Sequence, residues 1–393
     1  MQPRQDLSLV LAAAGLSTRF TPNLAHFPHI KKQFWPLNGV PLVQKVYEDF
    51  KHLGLFTQIF IVVSNRFEQI YLRQLLCDES VSVLVGGASR QESVQIALEG
   101  VQTPLVVVSD IARYQTEPLV LERLLERMQG GLDCVAPALS ATDTMVYYNP
   151  TAIPPYQLLE RKRALRVQTP QICRTSVLKQ AYKAGTFTDE SSAILSLGAH
   201  AAYIEGSPNL DKLTFASDLP AHSVRTTSHT GLGLDVHGFE GGKVMKLGGV
   251  VIHSSDCGDC GFRAHSDGDV LLHALIDALL GAIGGGDIGL YYSDQDPSFK
   301  NKDSAEMLQE IYQLVQGVGH CVEGVDITLF ADMPKISPYR ALIKKNLAEL
   351  LNMQLTNINL KATTFEGLGF VGRKEGVGVQ VLVQTRALYV VHE

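Results

Sequence analysis

Three residues near the middle of the chain have the types and spacing to hold a metal ion. Asp235 and His237, in GLGLDVHGF (Gly231–Phe239), stand at i and i+2, so in a strand both side chains leave the same face. The stretch His265–Gly289 then supplies Asp269, His273 and Asp277 at i, i+4 and i+8, one stripe of a helix. One carboxylate and two imidazoles make a three-ligand zinc site with a fourth position open, so Asp235, His237 and His273 are the expected ligands. Asp269 and Asp277 are expected to orient the imidazoles from behind.

A different set stands in the N-terminal half. LVLAAAGLSTRF (Leu9–Phe20) reads as a buried strand followed by small residues, Gly15 and a basic residue. Small side chains let the backbone approach a ligand, and exposed N–H groups at such a turn bind phosphate oxygens. Arg19 and the Lys31–Lys32 pair have the charge to neutralise a triphosphate under attack. GGASRQES (Gly86–Ser93) is a second Gly-rich turn, with Arg90 and Ser93 available to a nucleotide. VVVSDIARY (Val106–Tyr114) ends a strand with Asp110, where open α/β sheets bind ligands and where a carboxylate suits Mg²⁺. Taken singly, each piece also fits a plain strand–helix turn, and Asp110 a helix N-cap. Neither the P-loop nor the dinucleotide fingerprint is present, which argues against NAD and most ATPases.

The elements that must carry these residues fall into two patterns. Apolar runs at Leu7–Ala13, Gln58–Val63, Val81–Val85 and Leu105–Val108 alternate with helical periodicity at Val40–Leu53, Glu68–Leu76 and Ser89–Leu98. That alternation predicts an α/β fold, a Rossmann-like open sheet, over residues 1–219. Residues 220–230, polar and without apolar period, read as a linker. A compact α+β domain follows over 231–393, with strands expected at Gly231–His237, Lys246–Ile252, Val325–Leu329 and Ile358–Thr364. Its helices are expected at Asp267–Ala282, Ser304–Gln316 and Tyr339–Leu351.

At 393 residues the length suits two such domains, and 45% hydrophobic with 19% charged residues excludes disorder. A net charge of −6 gives no footprint for nucleic acid. No window is apolar for long enough to span a membrane, and no basic leader precedes the first apolar run. The four scattered cysteines are expected as reduced thiols, the Cys257–Cys260 pair as an ordinary loop, and the protein as cytoplasmic.

Ordered motifs then add a resemblance. LAAAGLSTRF, KKQF, GGASRQES, SDIAR, DTM (Asp143–Met145), TPQ (Thr169–Gln171), TDESSA (Thr188–Ala193) and NLDKLT (Asn209–Thr214) follow one another as in the 2-C-methyl-D-erythritol 4-phosphate cytidylyltransferases of the non-mevalonate isoprenoid pathway. The resemblance covers residues 6–219 and implies CTP, methylerythritol phosphate and Mg²⁺ as reactants and cofactor. It implies that Arg19 and Lys32 stabilise the five-coordinate phosphorus, and that Ala14, Gly15, Gly87, Arg90 and Ser93 hold the nucleotide. Asp110 is implied near the metal and the polyol, with Thr169 in the substrate site. Arg161, Thr188 and Lys212 are implied to grip the substrate phosphate, partly across a dimer interface. The Arg19–Lys32 loop is longer than in short relatives, and the usual Asp-Ala-Ala-Arg reads Asp110-Ile111-Ala112-Arg113.

GLGLDVHGF, AHSDGDVLLHAL, GDIG, DMPKISPY and KATTFEGLGFVGRKEG similarly resemble the 2-C-methyl-D-erythritol 2,4-cyclodiphosphate synthases, across residues 231–388. That resemblance implies ring closure on a cytidyl diphosphate substrate with release of CMP, Zn²⁺ on the Asp–His–His set and Mg²⁺ held partly by Glu366. His265 and Ser266 are implied at the phosphate, and Asp287 at the erythritol hydroxyls. Lys335, Thr363 and Thr364 are implied at the cytidine diphosphate from a neighbouring subunit, with Thr364 catalytic. Phe370, Arg373 and Glu375 match a trimer-axis cavity for an isoprenoid phosphate. Dimers in one half and trimers in the other imply a hexamer. The step between the two reactions belongs to a separate ATP-dependent kinase, with which this chain is a candidate to associate.

Overall fold

The computed structural model describes residues 7–128, 131–219 and 222–392, apart from residues 21, 23, 25, 28, 152, 265 and 294. It divides into two units. The first comprises Met1–Thr21, Val40–Gln69 and Cys77–Pro220; the second comprises Pro22–Gly39, Ile70–Leu76 and Ala221–Glu393.

In the first unit the apolar runs do form strands, buried on both faces in all but Val81–Val85, where Ser82 is exposed. β1 (Leu7–Ala12), β2 (Gln58–Val63), β3 (Val81–Val85) and β4 (Leu105–Asp110) are parallel and lie in the order β3-β2-β1-β4. Beyond β4 the sheet continues with antiparallel strands: β9 (Gln171–Arg174), β5 (Cys134–Ser140) and β8 (Leu165–Val167), with β10 (Ala201–Glu205) parallel beside β5. Helix α1 spans Leu42–His52, where the apolar period predicts it. Val10, Val62, Val106 and Val108 meet Val94, Leu98 and Leu178 in one dry core. Register sets Ala12 beside both Val62 and Asp110, so β1, β2 and β4 end level with one another. The turns after those ends are where the sheet can hold a ligand. A hairpin of β6 (Met145–Tyr148) and β7 (Tyr156–Leu159) forms its own two-stranded sheet, and every residue in both strands is exposed.

The second unit is built on two long antiparallel strands, β11 (His222–Gly241) and β17 (Gly376–His392), paired from His222↔His392 to Gly238↔Gly376. β15 (His320–Phe330) pairs with β17, and β16 (Ile358–Thr363) lies parallel to β15. At the other edge β14 (Cys260–Phe262) pairs with β11. Helix α6 (Val270–Ile283) packs on the sheet, with α7 (Ser304–Gly317) and α8 (Arg340–Leu350) completing the layer. The segment Pro22–Gly39 also belongs here: Lys31 N–H donates to Gly317 O (2.9 Å) and Asn38 N–H to Val390 O (2.8 Å).

Two expectations need correction. Residues 222–230 are not a linker but the first half of β11, laddered to β17 throughout. Their polar side chains misled because the stretch is mostly solvent-facing, and an exposed strand carries no apolar period. The strand expected over Lys246–Ile252 is a hairpin, β12 (Met245–Leu247) and β13 (Val250–Ile252), turning at Gly248 and Gly249, both at positive φ.

Candidate active sites

In the first unit α2 (Arg90–Gly100) starts just after the turn that follows β3, with Ser89 as N-cap accepting from Glu92 N–H. Gly86 is pressed between two other candidates: a Cβ there would stand 2.5 Å from Ser93 Oγ and 3.0 Å from Ala14 Cβ. Sequence-distant turns therefore meet at one edge. Arg90 spans two carboxylates, donating from Nε to Asp110 (2.8 Å) and from both terminal nitrogens to Glu190 (2.7 and 3.1 Å). Lys212 Nζ donates to the other Asp110 oxygen at 2.7 Å, and Asp110 N–H donates to Thr169 Oγ1 at 3.2 Å. Burial opposes ionisation of Asp110, but Arg90 and Lys212 outweigh it and hold the carboxyl well below the usual carboxylate range. Glu190 is fully buried and accepts also from Tyr182 Oη (2.8 Å). A cavity of about 600 Å³ adjoins Lys212, lined also by Arg113, Arg166 and Asp211.

The other candidates carried by the first unit are exposed. Arg19 and Gly15 are exposed on the turn after β1, and Gly87 is exposed beside Glu92. Thr188 is exposed just before the α5 helix (Glu190–Ser196). Arg161 is exposed after the hairpin and donates to Thr142 O (3.1 Å). Lys32 is carried by the second unit.

In the second unit the metal-ligand expectation is tested by close packing. Gly231 and Gly233 share the face of β11 that carries Asp235 and His237. A Cβ at Gly231 would come within 1.8 Å of Ala278 O, and one at Gly233 within 1.9 Å of Ala274 O. The missing side chains thus let α6 lie on the strand, which brings His273 to the two strand ligands. His237 Nε2 and His273 Nδ1 approach Asp235 Oδ2 at 3.2 and 3.4 Å, and the three ligand atoms fit within 4.8 Å of one another. Asp235 Oδ2 is buried with no hydrogen bond, which leaves it able to ligate a cation. Burial opposes its ionisation, and the adjoining imidazoles still hold its carboxyl below the usual range. This donor set suits Zn²⁺.

The imidazoles are oriented by groups other than those expected. Gly268, at φ +76°, turns its carbonyl to His237 Nδ1 (3.0 Å) and its N–H to Ser266 Oγ (3.1 Å). His273 Nε2 faces Ser304 Oγ (2.9 Å) and Ser266 Oγ (3.2 Å). Asp269 instead caps α6 and ties down the Gly248–Gly249 turn, accepting from Leu272, Gly248 and Gly249 N–H. Asp277 accepts from Ile288 N–H (2.8 Å), securing the loop that follows α6. Neither orients an imidazole; each serves backbone instead.

A cavity of about 750 Å³ opens over the triad, with Ser266, Asp277, Arg263 and Lys300 in its wall. Asp287 is exposed beside it, capping the short helix Ile288–Tyr291. His265 lies outside the described residues. Lys335, Thr363, Thr364 and Glu366 form no part of this wall. Thr364 Oγ1 donates to Glu366 (2.7 Å) at a turn where Glu366 has φ +49°, and Lys335 and Thr363 are exposed. Phe370 packs edge-on to Phe365, and Arg373 clasps Glu375 with two bonds of 2.9 and 3.0 Å.

Residues 7–224 match the family model of 2-C-methyl-D-erythritol 4-phosphate cytidylyltransferase, and residues 228–386 match that of the YgbB family. The bifunctional enzyme IspD/IspF of Wolinella succinogenes is 39% identical over 98% of this chain and 97% of its own length. That of a Sulfurovum species is 42% identical over 96% of each. The solved bifunctional IspDF of Campylobacter jejuni is 37% identical, covers 98% of this chain and 99% of its own, and superposes with a TM-score of 0.69. The chain belongs to the bifunctional IspD/IspF family. It is a cytidylyltransferase and a cyclodiphosphate synthase of the non-mevalonate pathway on one polypeptide. No helix among the described residues is long and apolar enough to cross a membrane.

Proposed function

We propose a residue-level division of labour for the two reactions. At the first site the turns at Ala14–Gly15, Gly86–Gly87 and Ser93 hold CTP, and Arg19 and Lys32 neutralise the charge that grows as the methylerythritol phosphate attacks its α-phosphorus. The Arg90–Asp110–Lys212 network fixes the floor of the site, and Lys212, Thr188 and Arg161 hold the incoming phosphate. Asp110 would lie close to where Mg²⁺ is held with the triphosphate, and the ion would supply charge neutralisation for the departing diphosphate. No covalent enzyme intermediate is needed, since positioning and charge compensation suffice.

At the second site Asp235, His237 and His273 hold Zn²⁺, which supplies Lewis-acid polarisation of the substrate diphosphate, and Glu366 takes part in holding Mg²⁺. Ser266, in the cavity wall, and His265 contact the attacking 2-phosphate, while Asp287 holds the erythritol hydroxyls. Thr363, Thr364 and Lys335 hold the cytidine diphosphate of a neighbouring copy's site. Their separation from this chain's own cavity wall supports that reading. The observation that carries the second-site reading is the unsatisfied Asp235 Oδ2 faced by two imidazoles under an open cavity, and for the first site it is the Arg90–Asp110–Lys212 network.

Assembly follows from two exposed apolar surfaces. The hairpin, with Ile153 at its tip and Tyr148 stacked on Tyr156, supports pairing of first units. Leu232, Leu234, Val236 and Leu382 are exposed on one face of the long sheet, and support trimers of second units around an axis near Phe370 and Arg373. Three dimers and two trimers close as a hexamer with dihedral symmetry. The free thiols at all six cysteines support a cytoplasmic setting. The intervening phosphorylation comes from a separate ATP-dependent kinase, with which the hexamer associates.

The test is one incubation followed by phosphorus NMR. Methylerythritol phosphate, CTP and Mg²⁺ should yield the cytidyl diphosphate product, and addition of the kinase with ATP should yield the cyclic diphosphate and CMP. Persistence of the linear 2-phosphate despite added Zn²⁺ would remove the second assignment; unconsumed CTP would remove the first. Sedimentation at monomer mass would remove the hexamer.

A further inference from the structure

We infer that Ser304 and Asp267 are positioning residues that fix the tautomer of His273, and so select which of its ring nitrogens meets the metal. The inference rests on the zinc reading of Asp235, His237 and His273. Neutral imidazole offers one N–H and one lone pair, and whichever nitrogen donates to a fixed acceptor leaves the other free for a metal. The partner of the non-ligating nitrogen therefore decides the outcome. For His237 the decision is made by backbone, because the Gly268 carbonyl can only accept and so holds the proton on Nδ1.

For His273 the partners are hydroxyls, which can donate or accept. Left alone they would leave the tautomer open. Ser304 Oγ lies 2.9 Å from His273 Nε2 and 2.5 Å from Asp267 Oδ1. A carboxylate accepts only, so the Ser304 proton is committed to Asp267, and the hydroxyl oxygen is left as an acceptor toward His273. Ser304 N–H also points at Asp267 Oδ1 (3.3 Å), and the other Asp267 oxygen is held by Lys246 Nζ (3.0 Å), which reaches Asp303 as well (2.9 Å). Ser304 is fully buried, so water does not compete for its proton. The chain Lys246–Asp267–Ser304 thereby holds the His273 proton on Nε2 and turns the Nδ1 lone pair to Asp235. Ser266 then takes no obligatory part. Its oxygen accepts from Gly268 N–H, and its proton stays available to a phosphate in the cavity.

The test is Zn²⁺ affinity of the full chain, stripped of metal and titrated with Zn²⁺ alone against a chromophoric chelator. Ser304→Ala should weaken binding by about 10–100-fold, and Ser304→Thr, which keeps the hydroxyl, should return it to within about threefold. In histidine-selective ¹⁵N spectra the His273 signal should be that of the Nε2–H tautomer in the parent and a tautomer mixture in Ser304→Ala. Circular dichroism confirms that each variant is folded. Undiminished affinity in folded Ser304→Ala, or a single Nδ1–H tautomer in the parent, would overturn the relay while leaving the zinc site standing. A parent chain that takes up no Zn²⁺, while His237→Ala behaves identically, would overturn the zinc reading and the relay with it.

Discussion

In the first unit Arg90 and Lys212 are already engaged by Asp110 and Glu190, every charged group in the cluster having a partner within 3.1 Å. In the second unit three potential ligands converge and the central carboxylate oxygen is left without a hydrogen bond. Both sites must handle phosphates, yet one is balanced by its own side chains and the other presents a donor set that suits a cation. The balanced site keeps its shape from protein groups alone, so mutations there should damage stability and catalysis together. The unbalanced site depends on glycine-permitted packing and on a metal, so there the two effects should separate.

The sharpest break is His273→Ala. It should lower ring closure by about a thousandfold or more and abolish stoichiometric Zn²⁺ uptake, while cytidylyl transfer continues, as read by phosphorus NMR and metal analysis. Equal loss of both activities in a folded variant would dissolve the contrast. Next comes Arg90→Ala, which leaves buried Glu190 with the Tyr182 hydroxyl but without its cation. The first unit should lose about 3–5 kcal/mol in urea unfolding, and its kcat/KM should fall by about 100-fold. Unchanged stability would mean that the network is not the floor of the site.

Gly233→Ala touches no ligand but sets a methyl against Ala274 O, so α6 must shift. We expect about 1–3 kcal/mol of destabilisation and weakened Zn²⁺ binding with its ligands intact; parental affinity would show that the close approach is dispensable. The smallest effect concerns acid. The Asp110 carboxyl is held below its unfolded value, so its contribution to stability is present above the ordinary carboxylate range, near pH ~4, and is lost as pH falls toward the depressed value. Lys212→Met removes one of the two cations and should move that loss to higher pH in an acid titration followed by circular dichroism. A midpoint that stays put would assign the depression to Arg90 alone.

Much of this contrast was legible in the sequence, and the exceptions have physical causes. The continuous apolar runs of β1, β2 and β4 announce a buried parallel sheet because both faces are covered. The i and i+2 spacing of Asp235 and His237 announces shared strand ligands for the same kind of reason. The first half of β11 was not legible, since a mostly exposed strand held by backbone pairing leaves no apolar signature. Asp269 and Asp277 have helical spacing that suits imidazole partners, but a carboxylate is drawn equally well to unpaired N–H groups at a turn, and there both went. Ser304 and Glu190 gave no signal of their own, because a serine at a helix start and a glutamate in a first turn are what capping predicts. Only three-dimensional proximity separates those roles.

Chain order and architecture part company in Pro22–Gly39. This stretch lies early in the sequence and holds Lys32, yet its buried Phe27, Ile30, Phe34 and Trp35 sit in the second unit, where Phe34 meets Tyr71 edge-on and Gly319 lies against Ile30. The seam between the two activities is consequently not a single point in the gene. A break at codon 220 would leave the first protein with uncovered aromatic side chains and the second with an open flank. Separation of the two activities at codon 220 would therefore part Pro22–Gly39 from the unit that buries it.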